Sequence, residues 1–408
     1  MKRVVITGMS AITALGDEWS TFKKALEAGK NAVKTMPEWD YIADLNTRLA
    51  APILHFEKPL HYQRKMIRSM GRVSLMATKA TELALIEADL LHHDALTDGR
   101  TGISYGSSIG STQPLVSFGN MITTGSMSGV TATSYIQMMS HTAPVNIGVF
   151  FGVKGRVITT SSACTSGSQG IGYAYEAIKY GRQKVMIAGG AEELCVTEAA
   201  VFDTLYAAST QNDSPSTTPR PFDTQRDGLV LGEGACTLIL EELEHAQQRG
   251  ATILAEIVGF GSNSDGQHVT QPSADTMQVA IEQAISDAGI NKANIGYVNA
   301  HGTATEKGDI AETNATANAL GKIPVSSLKS YLGHTLGACG GIEAWASINM
   351  MKDNWFAPTL NLTDIDPECG QLDYIQKEGR EIKTDYVMSN NFAFGGINTS
   401  LIFKRWAS

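Results

Sequence analysis

The sequence predicts an α/β fold made of two similar halves, on three observations. Strand-like and helix-like segments alternate along the whole chain. At 408 residues the chain exceeds what one core usually serves. Gly-Ile-Gly-Tyr-Ala-Tyr-Glu-Ala-Ile (170–178) can also be laid over Gly-Ile-Glu-Ala-Trp-Ala-Ser-Ile (341–348). That overlay sets Cys164 opposite Thr335 and puts a boundary near Gly250, dividing the chain into 1–250 and 251–408.

The elements follow in chain order from apolar, β-branched runs for strands and from apolar residues at longer, helical spacing for helices. Arg3–Thr7 reads as a strand closed by Gly8 and Ser10, then Trp19–Ala28 and Arg72–Ala88 as helices and Thr101–Tyr105 as a strand. Residues 106–150 hold few long periodic elements and read as loops and interface. Within them Ser107–Met139, rich in Ser, Thr, Gly and Met, is expected to line a pocket or a dimer contact. Gly155–Thr159 carries Val157, Ile158 and Thr159 and predicts a strand; Gly170–Gly181 repeats Ile171, Ala174, Tyr175 and Ile178 as a helix does. Strands are expected at Val185–Ala188, Thr237–Leu240 and Ile253–Phe260, a helix at Ala274–Ala288, and a strand at Tyr297–Ala300. Helices at Asp309–Leu320 and Gly340–Lys352 and a strand at Ser400–Phe403 complete the set.

Composition narrows the function. A net charge of −9 argues against nucleic acid as the main partner. The five cysteines form no CxxC pair and no zinc spacing, so no metal site is expected, and their odd number suits a reducing cytoplasm. The first ten residues look superficially like a secretion signal, but Gly8 and Ser10 interrupt the apolar run, which favours a core strand. No stretch approaches the length of a membrane span.

Chemistry concentrates around Cys164, in Thr-Thr-Ser-Ser-Ala-Cys-Thr-Ser-Gly-Ser-Gln-Gly (159–170), between a predicted strand and a predicted helix. A cysteine at that junction faces the positive end of the helix dipole, which favours thiolate and makes a nucleophile. The plainer reading is a buried structural thiol. Three further runs weigh against it. Tyr-Val-Asn-Ala-His-Gly-Thr-Ala-Thr (297–305) ends a strand in His301, and ligands collect at such strand ends. Ser-Leu-Lys-Ser-Tyr-Leu-Gly-His-Thr-Leu-Gly-Ala (327–338) sets Lys329 and His334 in a Gly-rich loop. Ser-Asn-Asn-Phe-Ala-Phe-Gly-Gly-Ile-Asn (389–398) is a turn holding Phe392 and Phe394.

Asp309 and Glu312 have the spacing of a capping box at a helix start, so Glu312 reads as structural. Arg64, Lys65, Arg68 and Arg72 stand out in an acidic chain, and a helix would align the three arginines on one face. That face is either a solvated surface or a dock for an acidic partner. No dinucleotide fingerprint, P-loop or HExxH is present.

Five runs in fixed order carry a resemblance: Ser-Ser-Ala-Cys-Thr-Ser, Pro-Phe-Asp-x-x-Arg-Asp-Gly-x-x-x-Gly-Glu-Gly-Ala (221–235), Ala-His-Gly-Thr-Ala-Thr, Lys-x-x-x-Gly-His-Thr-x-Gly-Ala and Asn-Asn-Phe-Ala-Phe-Gly-Gly. Together they are similar to those of the β-ketoacyl-[acyl carrier protein] synthases, the decarboxylating condensing enzymes of types I and II. The resemblance implies a thiolase fold, two βαβαβαββ halves in five layers αβαβα, and a dimer. It implies that Cys164 takes the acyl group from acyl carrier protein, while His301 and His334 assist decarboxylation of a malonyl unit. It further implies an oxyanion hole from the N–H groups of Cys164 and Phe394, and ordering of the site by Lys329 and Glu312. Thr303 and Thr305 would bind the phosphopantetheine arm, which arrives on the carrier protein so that no separate cofactor is needed. Phe392 and Phe394 would gate the acyl pocket, and Arg64, Lys65 and Arg68 would receive the carrier protein. Asn391, Ala393 and Ile397 depart from the family's usual Ser, Gly and Thr, and Ala304 from the Gly of the polyketide-type form. None of these is expected to touch a catalytic group, but they suggest a specialised pathway such as aryl polyene synthesis. The alternatives are a chain-length-factor-like partner in a heterodimer, from which the intact Cys164 detracts, a thiolase using Cys339 as second thiol, and a cysteine hydrolase, which leaves the other runs unexplained.

Overall fold

In the computed structural model of the chain, which describes residues 1–407, the first strand, β1, runs Val4–Ile12, past the predicted end at Thr7. Gly8 does not break it. A bulge falls between Ile6 and Gly8, and a Cβ at Gly8 would lie 2.2 Å from the Ala84 carbonyl oxygen, so the glycine admits a helix packed against the strand. β1 is buried throughout because it is central, with strands on both sides.

Ten more strands complete its sheet: β2 (Thr101–Gly106), β3 (Val157–Thr160), β4 (Val185–Glu192), β5 (Gly234–Glu242), β6 (Ala255–Ser264), β7 (Ile295–Asn299), β8 (Pro324–Ser326), β9 (Asp373–Tyr374), β10 (Tyr386–Ala393) and β11 (Ile397–Arg405). Their spatial order is β9-β8-β7-β10-β11-β6-β1-β5-β4-β2-β3. Outward from the β1/β6 seam the two sides repeat each other. β1-β5-β4-β2-β3 and β6-β11-β10-β7-β8 each make two antiparallel pairings and then two parallel ones.

Six helices bear on the site: α1 (Arg72–Glu87), α2 (Ser166–Lys179), α3 (Ala274–Ala288), α4 (Glu306–Leu320), α5 (Lys329–Leu332) and α6 (Cys339–Asp353). α2 and α6 touch each other and strands of both sides of the sheet. α1 covers β1 and β5 from outside, and α3 covers β6 and β11 with α4 beside it. The result is the five-layer αβαβα arrangement of the thiolase fold. The near-continuous burial of α2 and α6 follows from that central position.

The internal echo is shifted by two residues from the predicted overlay. Each central helix follows a 3₁₀ turn whose first residue has a left-handed backbone, Ala163 at φ 50° and Leu336 at φ 45°. Matching the helix starts Ser166 and Cys339 (339 − 166 = 173) pairs Cys164 with Gly337 rather than Thr335. Residues 106–150 are more ordered than expected, holding helices Gln113–Thr124, Ser134–Met138 and Thr142–Phe151. The first and third end on left-handed glycines, Gly125 and Gly152. Among the described residues no helix is long and apolar enough to cross a membrane.

Candidate active site

Cys164 sits in the 3₁₀ turn Ala163–Thr165, between β3 and α2. Gly167 and Gly337 let the two central turns meet: a Cβ on Gly167 would lie 2.8 Å from the Gly337 carbonyl oxygen. His301 lies just past the end of β7, and His334 just past α5, its N–H bonded to the Val230 carbonyl at 2.7 Å. The chain thereby gathers Sγ of Cys164 and a ring nitrogen of each histidine within 4.8 Å of one another, all three residues buried. His334 Nε2 is 2.9 Å from the sulfur, and the two imidazoles meet edge to face at 5.1 Å.

The thiol is not the preformed thiolate that its junction suggests. Burial pushes Cys164 up to about 11, against the pull of the Lys329 charge and of the N–H groups of Phe394 and of Cys164 itself, which hydrogen-bond the sulfur. Desolvation outweighs the turn's donors. Burial, reinforced by the Lys329 charge, holds both imidazoles neutral, well below the usual histidine range. The Leu336 N–H points at His334 Nδ1 from 3.3 Å, so the ring proton resides on Nε2 and faces the sulfur. Alkylation of Cys164 by iodoacetamide should therefore accelerate about tenfold per pH unit between pH 7 and 9, as thiolate grows below its pKa. A rate flat across that range would restore the preformed thiolate.

Glu312 and Asp309 are not a capping box. α4 begins at Glu306 with Thr305 as N-cap, and neither carboxylate caps the helix. Glu312 accepts from the N–H groups of His301 (2.6 Å) and Gly302 (2.7 Å), and Asp309 from Phe222 (2.8 Å) and Ala304 (3.1 Å). Instead of capping the helix, Glu312 shapes the loop that presents His301. Burial pushes Glu312 up to about 8 and Asp309 to about 6.

Lys329 pairs with Glu343 of α6 rather than with Glu312, and both side chains are buried. Sequence reasoning missed Glu343. Its signal was a lone carboxylate in an otherwise apolar helix face, where a charge needs a partner. Asn391 was expected to stay clear of the catalytic groups, but its Nδ2 lies 2.6 Å from Glu343 Oε2 and 3.4 Å from His301 Nδ1.

A cavity of about 430 Å³ opens on this cluster, and Cys164, His301, Glu312 and His334 reach it. Thr303 and Thr305 line it with their hydroxyls 2.9 Å apart, beside Phe392 and Phe394. Phe392 packs 6.3 Å from His301, and Phe394 packs 5.3 Å from Phe202. No residue of Ser107–Met139 lines it, contrary to the pocket reading of that segment.

Arg64, Lys65 and Arg68 are exposed and outside this cavity. They do not share a helix with Arg72: Arg64–Ile67 is a single turn, Arg68 caps it, and α1 starts afresh after Gly71. Arg72 instead makes a two-pronged pair with Glu233 at 2.8 Å.

A buried thiol ringed by two neutral imidazoles and two backbone donors, lining a cavity in a thiolase fold, defines an acyl-transferring condensing enzyme. Residues 1–246 match the Beta-ketoacyl synthase, N-terminal domain, and residues 254–363 the Beta-ketoacyl synthase, C-terminal domain. The chain belongs to the β-ketoacyl synthase family. It is 36% identical over 413 residues to the 3-oxoacyl-[acyl-carrier-protein] synthase 2 of Vibrio cholerae, covering 99% of each chain. With a crystal structure of a β-ketoacyl synthase from Burkholderia phymatum it shares 61% identity and a TM-score of 0.98 over the full length of both. A chain from a solved complex of a type II polyketide acyl carrier protein with its ketosynthase is 29% identical, with a TM-score of 0.84 over the full length of both.

Proposed function

We propose that this β-ketoacyl-[acyl carrier protein] synthase joins an acyl group to a malonyl unit in two half-reactions at one sulfur. The observation that carries the reading is the convergence of Cys164, His301 and His334 within 4.8 Å on the wall of the cavity. In the first half-reaction the Cys164 thiolate attacks the carrier-bound acyl thioester. The N–H groups of Cys164 and Phe394 hold the oxyanion, and the carrier's pantetheine sulfur leaves, taking up the proton that Cys164 gave up. In the second, a malonyl thioester loses carbon dioxide. The electron pair left behind forms an enolate, whose oxygen accepts from His301 and His334. The enolate carbon then attacks the acyl carbonyl, and Cys164 departs as thiolate. Lys329 and Glu312 order the histidines, Thr303 and Thr305 hold the pantetheine arm, and Phe392 with Phe394 gates the acyl pocket.

The test is direct. Protein incubated with acyl- and malonyl-carrier protein should gain the acyl mass on Cys164, release carbon dioxide and yield a 3-oxoacyl carrier; a chain-length-factor-like partner would do none of these.

The carrier protein docks on Arg64, Lys65 and Arg68, an exposed basic turn with Met66 (40% exposed) among them. Reversing Arg64 and Arg68 to Glu should raise the KM for carrier-linked substrate roughly tenfold at low salt and leave kcat within about twofold. An unchanged KM returns these residues to ordinary surface charge.

The enzyme works as a dimer through the face beside β3. That strand is paired on one side only. The helix Thr142–Phe151 packs against it with Val149 74% exposed, and Val116, Ile122 and Tyr135 of the two preceding helices are 63%, 79% and 62% exposed. The partner is a second copy of this chain. A ketosynthase-like subunit is the alternative, as in the ishigamide ketosynthase/chain length factor, 28% identical with a TM-score of 0.90. The five free cysteines suit the cytoplasm. The departures at Asn391, Ala393 and Ile397 favour a specialised product, an aryl polyene or related chain.

A further inference from the structure

We propose that Asn391 is a positioning residue that fixes which nitrogen of His301 carries the ring proton, and so keeps His301 a hydrogen-bond donor toward the reacting group. The proposal deepens the function proposed above and rests on it.

Asn391 is wholly buried near the end of β10. Its amide orientation follows from its neighbours. One oxygen of Glu343 is bonded to the Lys329 ammonium. The other, at 2.6 Å from the Asn391 amide, is a carboxylate oxygen with only lone pairs to offer, so the amide turns its NH₂ toward it. The same nitrogen lies 3.4 Å from His301 Nδ1 and 3.6 Å from the Cys339 sulfur. An amide NH₂ donates and cannot accept. Nδ1 is therefore the acceptor, and the neutral ring carries its proton on Nε2.

Nothing else around the ring does this work. Cys164 and His334 face it from the reaction side. Lys329 on α5 acts on it through its charge, and the Glu343 carboxylate reaches it only through Asn391. Glu312 on α4 spends both oxygens on backbone N–H groups rather than on the ring, and Phe392 offers only its edge or face. Among the described residues Asn391 is the one hydrogen-bonding partner of Nδ1. The family's usual serine at this position is shorter, and its hydroxyl can donate or accept, so it would not dictate a tautomer.

The consequence is chemical. A His301 ring with its proton on Nδ1 would present a lone pair to the developing enolate, repelling the charge it should stabilise. A wrong-tautomer imidazole in a serine hydrolase costs about 10⁴ in kcat. Here His334 still donates, so a smaller loss is expected.

Asn391→Asp keeps the size of the side chain but sets a second carboxyl against Glu343; the two share one proton, which leaves the introduced group only lone pairs to turn to Nδ1, and this tests the idea. Two quantities are followed from pH 5.5 to 9: the rate of acyl loading on Cys164, and the rate of carbon dioxide release from malonyl-carrier protein by the acylated enzyme. N391D should load acyl groups within about threefold of the native rate at every pH. Its carbon dioxide release should be at least tenfold slower at pH 8 and recover as the pH falls and the imidazole takes up its second proton, a basic limb absent from the native profile. N391S, which can do either, should lie between. The proposal is overturned if N391D tracks the native profile, or if both half-reactions fall together with no change of pH dependence in N391D and N391S alike. Native protein that neither loads nor decarboxylates would instead sink the function on which it rests.

Discussion

Replacing Cys164 by Ala should abolish acyl loading and lower condensation by at least on the order of a thousandfold, because no second group in the site can carry the acyl chain. The histidines are neutral and aimed as donors, and the other thiol, Cys339, is turned away, with its Sγ on the Cys164 carbonyl at 3.2 Å and burial raising it well above the ordinary thiol range. Folding should survive. Cys164 is 4% exposed and lines the cavity, where water can take the place of its sulfur beside the His334 ring and the two backbone N–H groups, so the truncation should cost about 1 kcal/mol. Intact-protein mass after exposure to acyl-carrier protein reads the loading, and a thermal melt checks the fold. A C164A protein that still gains one acyl group would move the nucleophile elsewhere, with Cys339 the first residue to examine.

What was legible in the sequence was whatever short-range pattern encodes. Apolar spacing predicted Ala274–Ala288 to the residue, and it found both central helices because their buried faces repeat. The catalytic runs were legible because a small-residue turn must precede each of those helices for their ends to meet. Long-range partners were not. Gly8 looked like a strand breaker because local propensity says nothing of the helix that closes on it. Arg72 was grouped with Arg64 and Arg68 by spacing alone, whereas a break at Gly71 gives it to Glu233, 161 residues away. The same blindness hid the chain from Lys329 through Glu343 and Asn391 to His301, whose members come from a short helix, a central helix, a strand and the loop after β7. The thiol's ionisation was misjudged for a related reason: the junction's donors are visible in sequence, but the depth of burial that outweighs them is a property of the assembled layers.

That hidden chain underlies the second large expected effect. Lys329→Met should destabilise the protein by about 3–5 kcal/mol, since it leaves the Glu343 carboxylate buried without its cation. The double variant Lys329→Met with Glu343→Leu removes both charges and should regain most of that stability. Catalysis should not return with it. The Lys329 charge is the largest of the influences that oppose burial at Cys164, and it is one of those holding His301 and His334 neutral. Without it the thiol ionises at higher pH still, and the enolate loses a cation close enough to act in a dry site. Condensation in the double variant should remain roughly a hundredfold below native at neutral pH. Thermal melts and carbon dioxide release from the same preparations separate the two effects. A single variant as stable as the native protein would mean that Glu343 is already neutral beside the lysine. A double variant with native turnover would mean that the pair serves only to hold α5 against α6, and that the field at the sulfur comes from the backbone alone.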